Sequence, residues 1–491
     1  MRMALHRSAV PALAWVPLVL ALTWRVGELA LPPHAEHAWR DADGLGIARC
    51  FVREGIDLFR PRIVERGALT GIVGMELPLV NAAGAMLMRV GGVHDWLARL
   101  PCWLALVPLL FGTWALGRRV LADAPAAALA AGCLVLQPLV VIYARKCMPE
   151  VPMLAALVWG MAFAHDALFR PSLARALAAG ALLATAALLK PTGFAVAIPL
   201  AFWFWSALRR SAERPRVLGA AVLGAALPLV ATLLWYGYAR RLGERYGLSF
   251  KLEHDWLDGL RLLAAGRGYG TFFGRVVHLY LLWPTVIWMI VRWRDTLAAA
   301  RRYPDLVAWT GAGLFSVVLV GDHLTAHPYY ALPLLVPLCL FIGAFASRAS
   351  AAFRRPDLVL LTFMAVFAVT ALSRVEQRAS TPENDRHRRF DPARLAAAMA
   401  HVPAGGLTIA TDDLPDVPMS LVIIDRIGWT RPPSNLTPEA IARLRAQGAR
   451  TLVETSFGGW LSPEARASLP PPVWADDQVR AYVLSPPAPG P

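Results

Sequence analysis

Residues Arg216–Gly237 read RVLGAAVLGAALPLVATLLWYG. After Arg216 no charge appears for 23 residues. At about 1.5 Å per residue, a helix of that length crosses the roughly 30 Å hydrocarbon core of a bilayer. The stretch just before it, Arg209–Arg216, is RRSAERPR, the kind of basic segment that stays on the cytoplasmic side of a span.

Similar apolar runs lie near 9–29, 98–117, 124–143, 150–168, 173–189, 193–208, 275–292, 305–321, 328–347 and 356–373. With 216–237 they predict an all-α polytopic membrane protein of about eleven transmembrane helices. The first run is longer than a signal-peptide core and reads as a retained span. Composition agrees: of 491 residues, 57% are hydrophobic and 17% charged, against about 25% charged in soluble domains.

The net charge of +15 would suggest a nucleic-acid partner in a soluble protein. Here no basic, aromatic-interleaved soluble module is present, and no nucleic acid is expected. Instead the arginines fall in alternate short loops, at Arg118/Arg119, Arg170/Arg175, Arg209/Arg210/Arg214/Arg216, Arg292/Arg294/Arg301/Arg302 and Arg348/Arg354/Arg355. That alternation places the N-terminus in the cytoplasm and the tail outside, as in a multi-pass protein of a bacterial inner membrane. Five scattered cysteines (Cys50, Cys102, Cys133, Cys147 and Cys339) suggest neither a disulfide framework nor a zinc site.

Two domains are expected. Residues 1–373 form the membrane domain, including a large first outer loop, 30–97. Residues 374–491 form a small periplasmic α/β domain. This tail is neutral, with 13 Arg against 13 Asp plus Glu from Arg374 onward. Its pattern predicts helices at Pro392–His401 and Pro438–Ala446, and strands at Leu407–Ala410, Leu421–Ile424, Thr451–Glu454 and Val479–Leu484. Pro486–Pro491 reads as a frayed end.

Ionisable groups near a bilayer are costly, so where they gather is informative. The first outer loop opens with WRDADGLGIAR, which carries Arg40, Asp41, Asp43 and Arg49. The next outer turn, YARKCMPE, holds Arg145, Lys146 and Glu150. Lys190 ends an otherwise apolar run, and GDHLTAHPYYALP supplies Asp322, His323, His327, Tyr329 and Tyr330. Only three lysines occur in the chain, Lys146, Lys190 and Lys251. These groups are expected at one depth on the outer side, converging on one site.

Acids and cations together suit sugar transfer from a lipid phosphate. A carboxylate accepts the acceptor's proton, and cations stabilise charge growing on the departing phosphate. Arg40 and Arg49 flank Asp43 and are expected to hold it ionised, lowering its pKa. Helix capping is the structural alternative for both Asp43 and Glu150, and snorkelling is the alternative for Lys190. No Walker loop or Rossmann fingerprint is visible. A transporter or lipid-linked sugar flippase is the competing class, although no internal repeat is seen and the charges avoid the midplane. A non-catalytic partner in an envelope assembly is a third reading.

WRDADGLGIAR, EGIDLFRPR (Glu54–Arg62) and GMELPL (Gly74–Leu79) together resemble bacterial members of the C-type glycosyltransferase superfamily. The nearest branch is the dolichyl-phosphate-mannose protein mannosyltransferase-like family, which includes lipid A aminoarabinose transferases. YARKCMPE, Leu189-Lys190-Pro191, HPYYALP and RIGW (Arg426–Trp429) extend the resemblance in the same order.

The resemblance implies Asp43 as catalytic base, with Asp41 as its rival, and Glu150 as second acid. It also matches Glu76 to a family acid and places Tyr329 and Tyr330 near the donor phosphate, while the charge pattern at the span ends adds Arg40, Asp41, Arg49, Arg145, Lys146, Lys190 and His327 as expected substrate contacts. Aminoarabinose transferases place a lysine between the Glu and the Pro of the GMELPL segment. Leu77 stands there, which argues against that sugar.

The implied reaction is an inverting hexosyl or pentosyl transfer from a polyprenyl-phosphate-sugar donor to a lipid (lipid A or lipopolysaccharide), glycan or protein acceptor. No cofactor is required by this reading, and a divalent metal (Mg or Mn) is left open. The orientation is checked by cysteine labelling at Ser380 and Ser211, which are expected on opposite faces.

Overall fold

The computed structural model describes residues 2–34, 36–250, 261, 264–265, 274–319, 327–380, 392–412, 417–456 and 458–484. Lys251, Asp322, His323 and the expected frayed end 486–491 lie outside the described residues. The chain divides into two compact units. One comprises Met1–Val26, Pro101–Gly237 and Lys251–Glu376; the other comprises Gly27–Leu100, Tyr238–Phe250 and Gln377–Pro491. Residues 27–100 therefore group with 238–250 and the tail.

Every run read as a span carries helix. Among the described residues, six helices are long and apolar enough to cross a membrane: Asp95–Val120, Glu150–Phe169, Pro191–Arg210, Arg214–Tyr246, Pro328–Ser350 and Pro356–Ala379. A seventh follows if the bent pair Ala124–Val135 and Pro138–Ala144 is one span; Val10–Thr23 and Leu173–Leu189 are shorter apolar helices.

The first unit is organised around helix Ala124–Val135, APAAALAAGCLV, which is apolar on every face and buried from Pro125 onward. Its small residues let neighbours approach closely. A Cβ on Gly132 would stand 2.3 Å from the Leu13 carbonyl oxygen, and one on Gly343 would stand 2.3 Å from that of Ala126. The helix breaks before Pro138, which cannot continue the hydrogen-bond ladder, and the chain turns by 55°. Buried Gln137 stands at the break and donates Nε2–H to the Tyr280 carbonyl at 2.8 Å. The short helix that follows delivers Tyr143, Arg145 and Lys146.

The second unit contains helices Ala38–Glu54 and Leu79–Gly91 and a five-stranded sheet. The strands are β1 (Leu407–Thr411), β2 (Gly428–Arg431), β3 (Ala449–Thr455), β4 (Trp474–Ala475) and β5 (Val479–Val483), in the order β2-β1-β3-β5-β4. β1 runs parallel to β2 and β3, and β5 runs antiparallel to β3 and β4. Ile409, Leu452 and Tyr482 pack with Ile441 and Leu444 of helix Pro438–Ala446.

The segment read as a strand at Leu421–Ile424 is instead helix Met419–Ile423. Its apolar run is too short to reveal a period, and Asp412 decides the outcome by accepting the Ser420 N–H at 3.1 Å. β2 escaped the sequence reading because it holds only four residues, one of them glycine.

That glycine joins loop and tail within the unit. Val64 accepts the Gly428 N–H at 3.1 Å, and the Gly428 carbonyl accepts from Arg66 at 3.1 Å and Gly67 at 2.7 Å. A Cβ on Gly428 would stand 1.8 Å from the Thr408 carbonyl oxygen across the β1–β2 pair. A Gly428→Ala substitution is therefore expected to cost about 2 kcal/mol or more, read by thermal unfolding of the purified protein.

Candidate active site

Helix Ala38–Glu54 positions the first group. It starts after His37, which sits in the left-handed region at φ 58°, and it buries Ala38 and every residue from Arg40 to Phe51. Asp41 and Asp43 both lie inside the helix, so neither is its N-cap. Being two positions apart, they point to different sides and meet different partners.

Asp41 is 1% exposed and faces the fully buried Arg99, whose Nη2 stands 2.7 Å from its Oδ2. Arg99 Nη1 also donates to the carbonyls of Leu29 at 2.7 Å and Leu31 at 2.5 Å. Asp41, expected as a rival base and substrate ligand, is thus placed to hold the loop together. Arg99 was missed by sequence reasoning. Its signal was an arginine inside an apolar run, the stretch read as span 98–117.

Asp43 is held more loosely. Arg40 Nη1 stands 3.7 Å from its Oδ2, while Arg40 Nη2 donates to both oxygens of Glu76, at 2.9 and 3.0 Å. The Arg40 guanidinium also lies 4.8 Å from the Phe250 ring centroid. Arg49 does not reach Asp43: it donates to the Val422 carbonyl and pairs with Asp95 at 2.5 Å and Asp425 at 3.1 Å.

The expectation that the two arginines lower the Asp43 pKa is therefore corrected. Burial pushes this carboxyl from 3.8 up to about 7, Arg40 only partly opposes the rise, and Glu76 and Glu65 add to it. A carboxyl titrating near neutrality is well matched to accept a proton during attack.

The second group lies in the first unit. Glu150 is the first residue of helix Glu150–Phe169, is fully buried, and makes no capping hydrogen bond. Its Oε1 pairs with Lys190, and its buried Oε2 has no partner among the described residues. Lys190, 3% exposed, ends helix Leu173–Leu189 and does not snorkel. Its Nζ stands 4.2 Å from the Tyr329 ring centroid and 5.6 Å from that of Tyr330.

Tyr143 meets Tyr329 edge-on at 5.7 Å, and His327 lies 5.3 Å from Tyr329, ring to ring. Tyr143 opens the YARKCMPE segment, where the neighbouring charges are the stronger sequence signal. Arg145 donates to the Trp24 carbonyl at 3.2 Å, and Lys146 is buried. The Asp43 and Glu150 groups thus belong to different compact units. Among the described residues, no three His, Cys, Asp or Glu side chains gather in one cluster.

Residues 76–236 match the family model for dolichyl-phosphate-mannose-protein mannosyltransferase. Among solved structures, the chain superposes on ArnT from Cupriavidus metallidurans in the apo state with a TM-score of 0.62 and 17% identity, covering 96% of each chain. The same enzyme bound to undecaprenyl phosphate gives a TM-score of 0.63 and 16% identity, over 98% of this chain and 99% of that one. The chain shares the fold of these structures.

A more distant example of this fold is the oligosaccharyltransferase AglB from Archaeoglobus fulgidus, in complex with an inhibitory peptide and a dolichol-phosphate. It matches with a TM-score of 0.55 and 13% identity, over 92% of this chain and 69% of that one. No curated protein matches by sequence.

The two aspartates are separable by stability. Asp41→Asn leaves Arg99 uncompensated in a dry site and is expected to cost about 3–5 kcal/mol. For Asp43 the sign is opposite. Its folded pKa lies above its unfolded value, so stability is fullest below 3.8 and is lost as pH rises to about 7. Asp43→Asn mimics the protonated form. Its stability advantage over the parent should widen from pH 4 to 7 and level off above, as read by thermal unfolding.

Proposed function

We propose that this protein is a membrane glycosyltransferase that takes its sugar from a polyprenyl-phosphate-linked donor. The acceptor is a component of the bacterial envelope, a lipid such as lipid A or lipopolysaccharide, a glycan or a protein. The reaction takes place on the outer face of the inner membrane, with the N-terminus cytoplasmic and the tail outside. The observation that carries this reading is Asp43: a buried carboxyl, titrating near 7, in the first outer loop of a C-type fold.

The chemistry follows from that carboxylate. The acceptor's hydroxyl oxygen attacks the anomeric carbon of the sugar from the face opposite the phosphate, and its proton passes to Asp43. The bond from the anomeric carbon to the phosphate oxygen breaks, polyprenyl phosphate leaves with the electron pair, and the configuration inverts.

Arg40 serves as the positioning residue, tied to Glu76 and standing 3.7 Å from Asp43. Lys146 and Arg145 are assigned to the donor phosphate, where cationic donors stabilise the leaving charge. Glu150 fixes Lys190 against Tyr329 and Tyr330, so the aromatic faces and the ammonium present one preorganised surface to the lipid phosphate.

The test reconstitutes purified protein in vesicles with an undecaprenyl-phosphate-linked sugar. Mass spectrometry of envelope lipids, glycans and proteins from a deletion strain identifies the acceptor. Transfer by the parent should rise about tenfold per pH unit below pH 7 and level off above, and Asp43→Asn should lose about 10²-fold or more. Movement of the donor across the vesicle without transfer would favour a flippase and sink the assignment. Lys146→Met should weaken donor binding without unfolding the protein, checked by lipid binding alongside thermal melting.

A further inference from the structure

A second polar cavity lies in the first unit, among residues the proposed reaction does not use. It measures about 940 Å³. Its rim is built from the last turns of helices Leu106–Val120, Trp293–Arg302 and Leu332–Ser350, and from the turn leading into Ala124–Val135. Each of the three helix ends brings one exposed arginine: Arg118, Arg302 and Arg348. All three belong to the arginine-rich loops that the charge pattern places in the cytoplasm.

Two acids share the lining, and both are committed elsewhere. Asp123 accepts the Ala126 N–H at 3.2 Å and the Ser347 hydroxyl at 2.6 Å. Asp295 is held by Arg292 at 2.6 Å and by Arg348 at 3.5 Å. By contrast, Arg118 makes no hydrogen bond or ion pair with any described residue. Arg302 meets only the Tyr303 ring, 5.6 Å from its centroid. Two guanidinium groups therefore open on one cavity with their donors unspent.

The walls restrict what can answer them. Tyr303 Oη donates to the Leu121 carbonyl at 3.2 Å and pins the turn that floors the cavity. Leu121, Ala344 and Ala351 add apolar surface beside the arginines. A guanidinium fork matches phosphate oxygens two at a time, and an apolar wall beside it suits a phosphate on a hydrocarbon stem. Basic pockets between spans on the cytoplasmic side commonly take such head groups.

We propose that this cavity binds a phosphate group through Arg118 and Arg302, carried by an anionic phospholipid of the cytoplasmic leaflet. The site is separate from the transfer chemistry and stabilises the helix ends against one another.

The test is thermal unfolding of the full-length protein in detergent. Three additions are compared: phosphatidylglycerol, phosphatidylcholine and inorganic phosphate. Phosphatidylglycerol should raise Tm by a few degrees and phosphatidylcholine should not. The shift should vanish in Arg118→Gln/Arg302→Gln. It should survive in Arg294→Gln/Arg301→Gln, which removes as much charge from exposed positions that do not line the cavity.

An equal effect of inorganic phosphate, lost in the same double variant, would keep the site and make its ligand free phosphate. No shift with either phosphate source, or the same loss in both double variants, would overturn the proposal. Should the Gln pair fail to fold, Arg118→Lys/Arg302→Lys is read instead. A shift smaller than the parent's supports the site; an equal one overturns it.

Discussion

Arg99 and Asp41 form a buried ion pair on which the geometry of the segment 27–100 depends. Arg99 is fully buried and spends its donors on Asp41 and on the carbonyls of Leu29 and Leu31. A charge pair out of water stabilises little unless every donor is met, and here the loop backbone completes the set. The same contacts tie the short 3-10 helix Val26–Ala30 and Leu31 to helix Ala38–Glu54 and so fix where Asp43 stands.

Asp43 inherits its chemistry from that arrangement. Arg40, the nearest cation, gives its better hydrogen bonds to Glu76 and leaves Asp43 at 3.7 Å. Burial then outweighs attraction, and the carboxyl titrates near 7 instead of near 4. The two acids of the WRDAD segment thus divide the work: one is locked by an arginine, the other is kept poised. Arg49, further along the same helix, reaches Asp95 and Asp425 and joins the loop helix to the tail.

In the first unit the organising feature is a helix with no polar face. Ala124–Val135 is small and apolar all round, so neighbours close on it at backbone distance, and its ladder ends where Pro138 removes a donor. The chain then leaves the break carrying Arg145 and Lys146 and reaches Glu150. Lys190 meets Glu150 beneath the tyrosines, and Glu150 keeps one oxygen without a partner among the described residues. An orphan carboxylate oxygen in a dry site is costly.

The sequence by itself determined the elements whose signal is local. Long uncharged runs dictate helices, as at Arg216–Gly237, and alternating β-branched runs gave strands β1, β3 and β5. It also singled out ionisable residues such as Asp43, Glu150 and Lys190, because charges beside apolar runs stand out. It failed where a segment was too short to show a period, at Met419–Ile423 and at β2. Only the tertiary structure decided which charge meets which. Asp41 finds Arg99 58 residues away, Lys190 finds Glu150 at 40, and Arg49 finds Asp425 at 376. Spacing along the chain placed Arg49 beside Asp43 and predicted a lowered pKa. Folding sent Arg49 elsewhere and buried the carboxyl, because desolvation and ion pairing depend on distance through space.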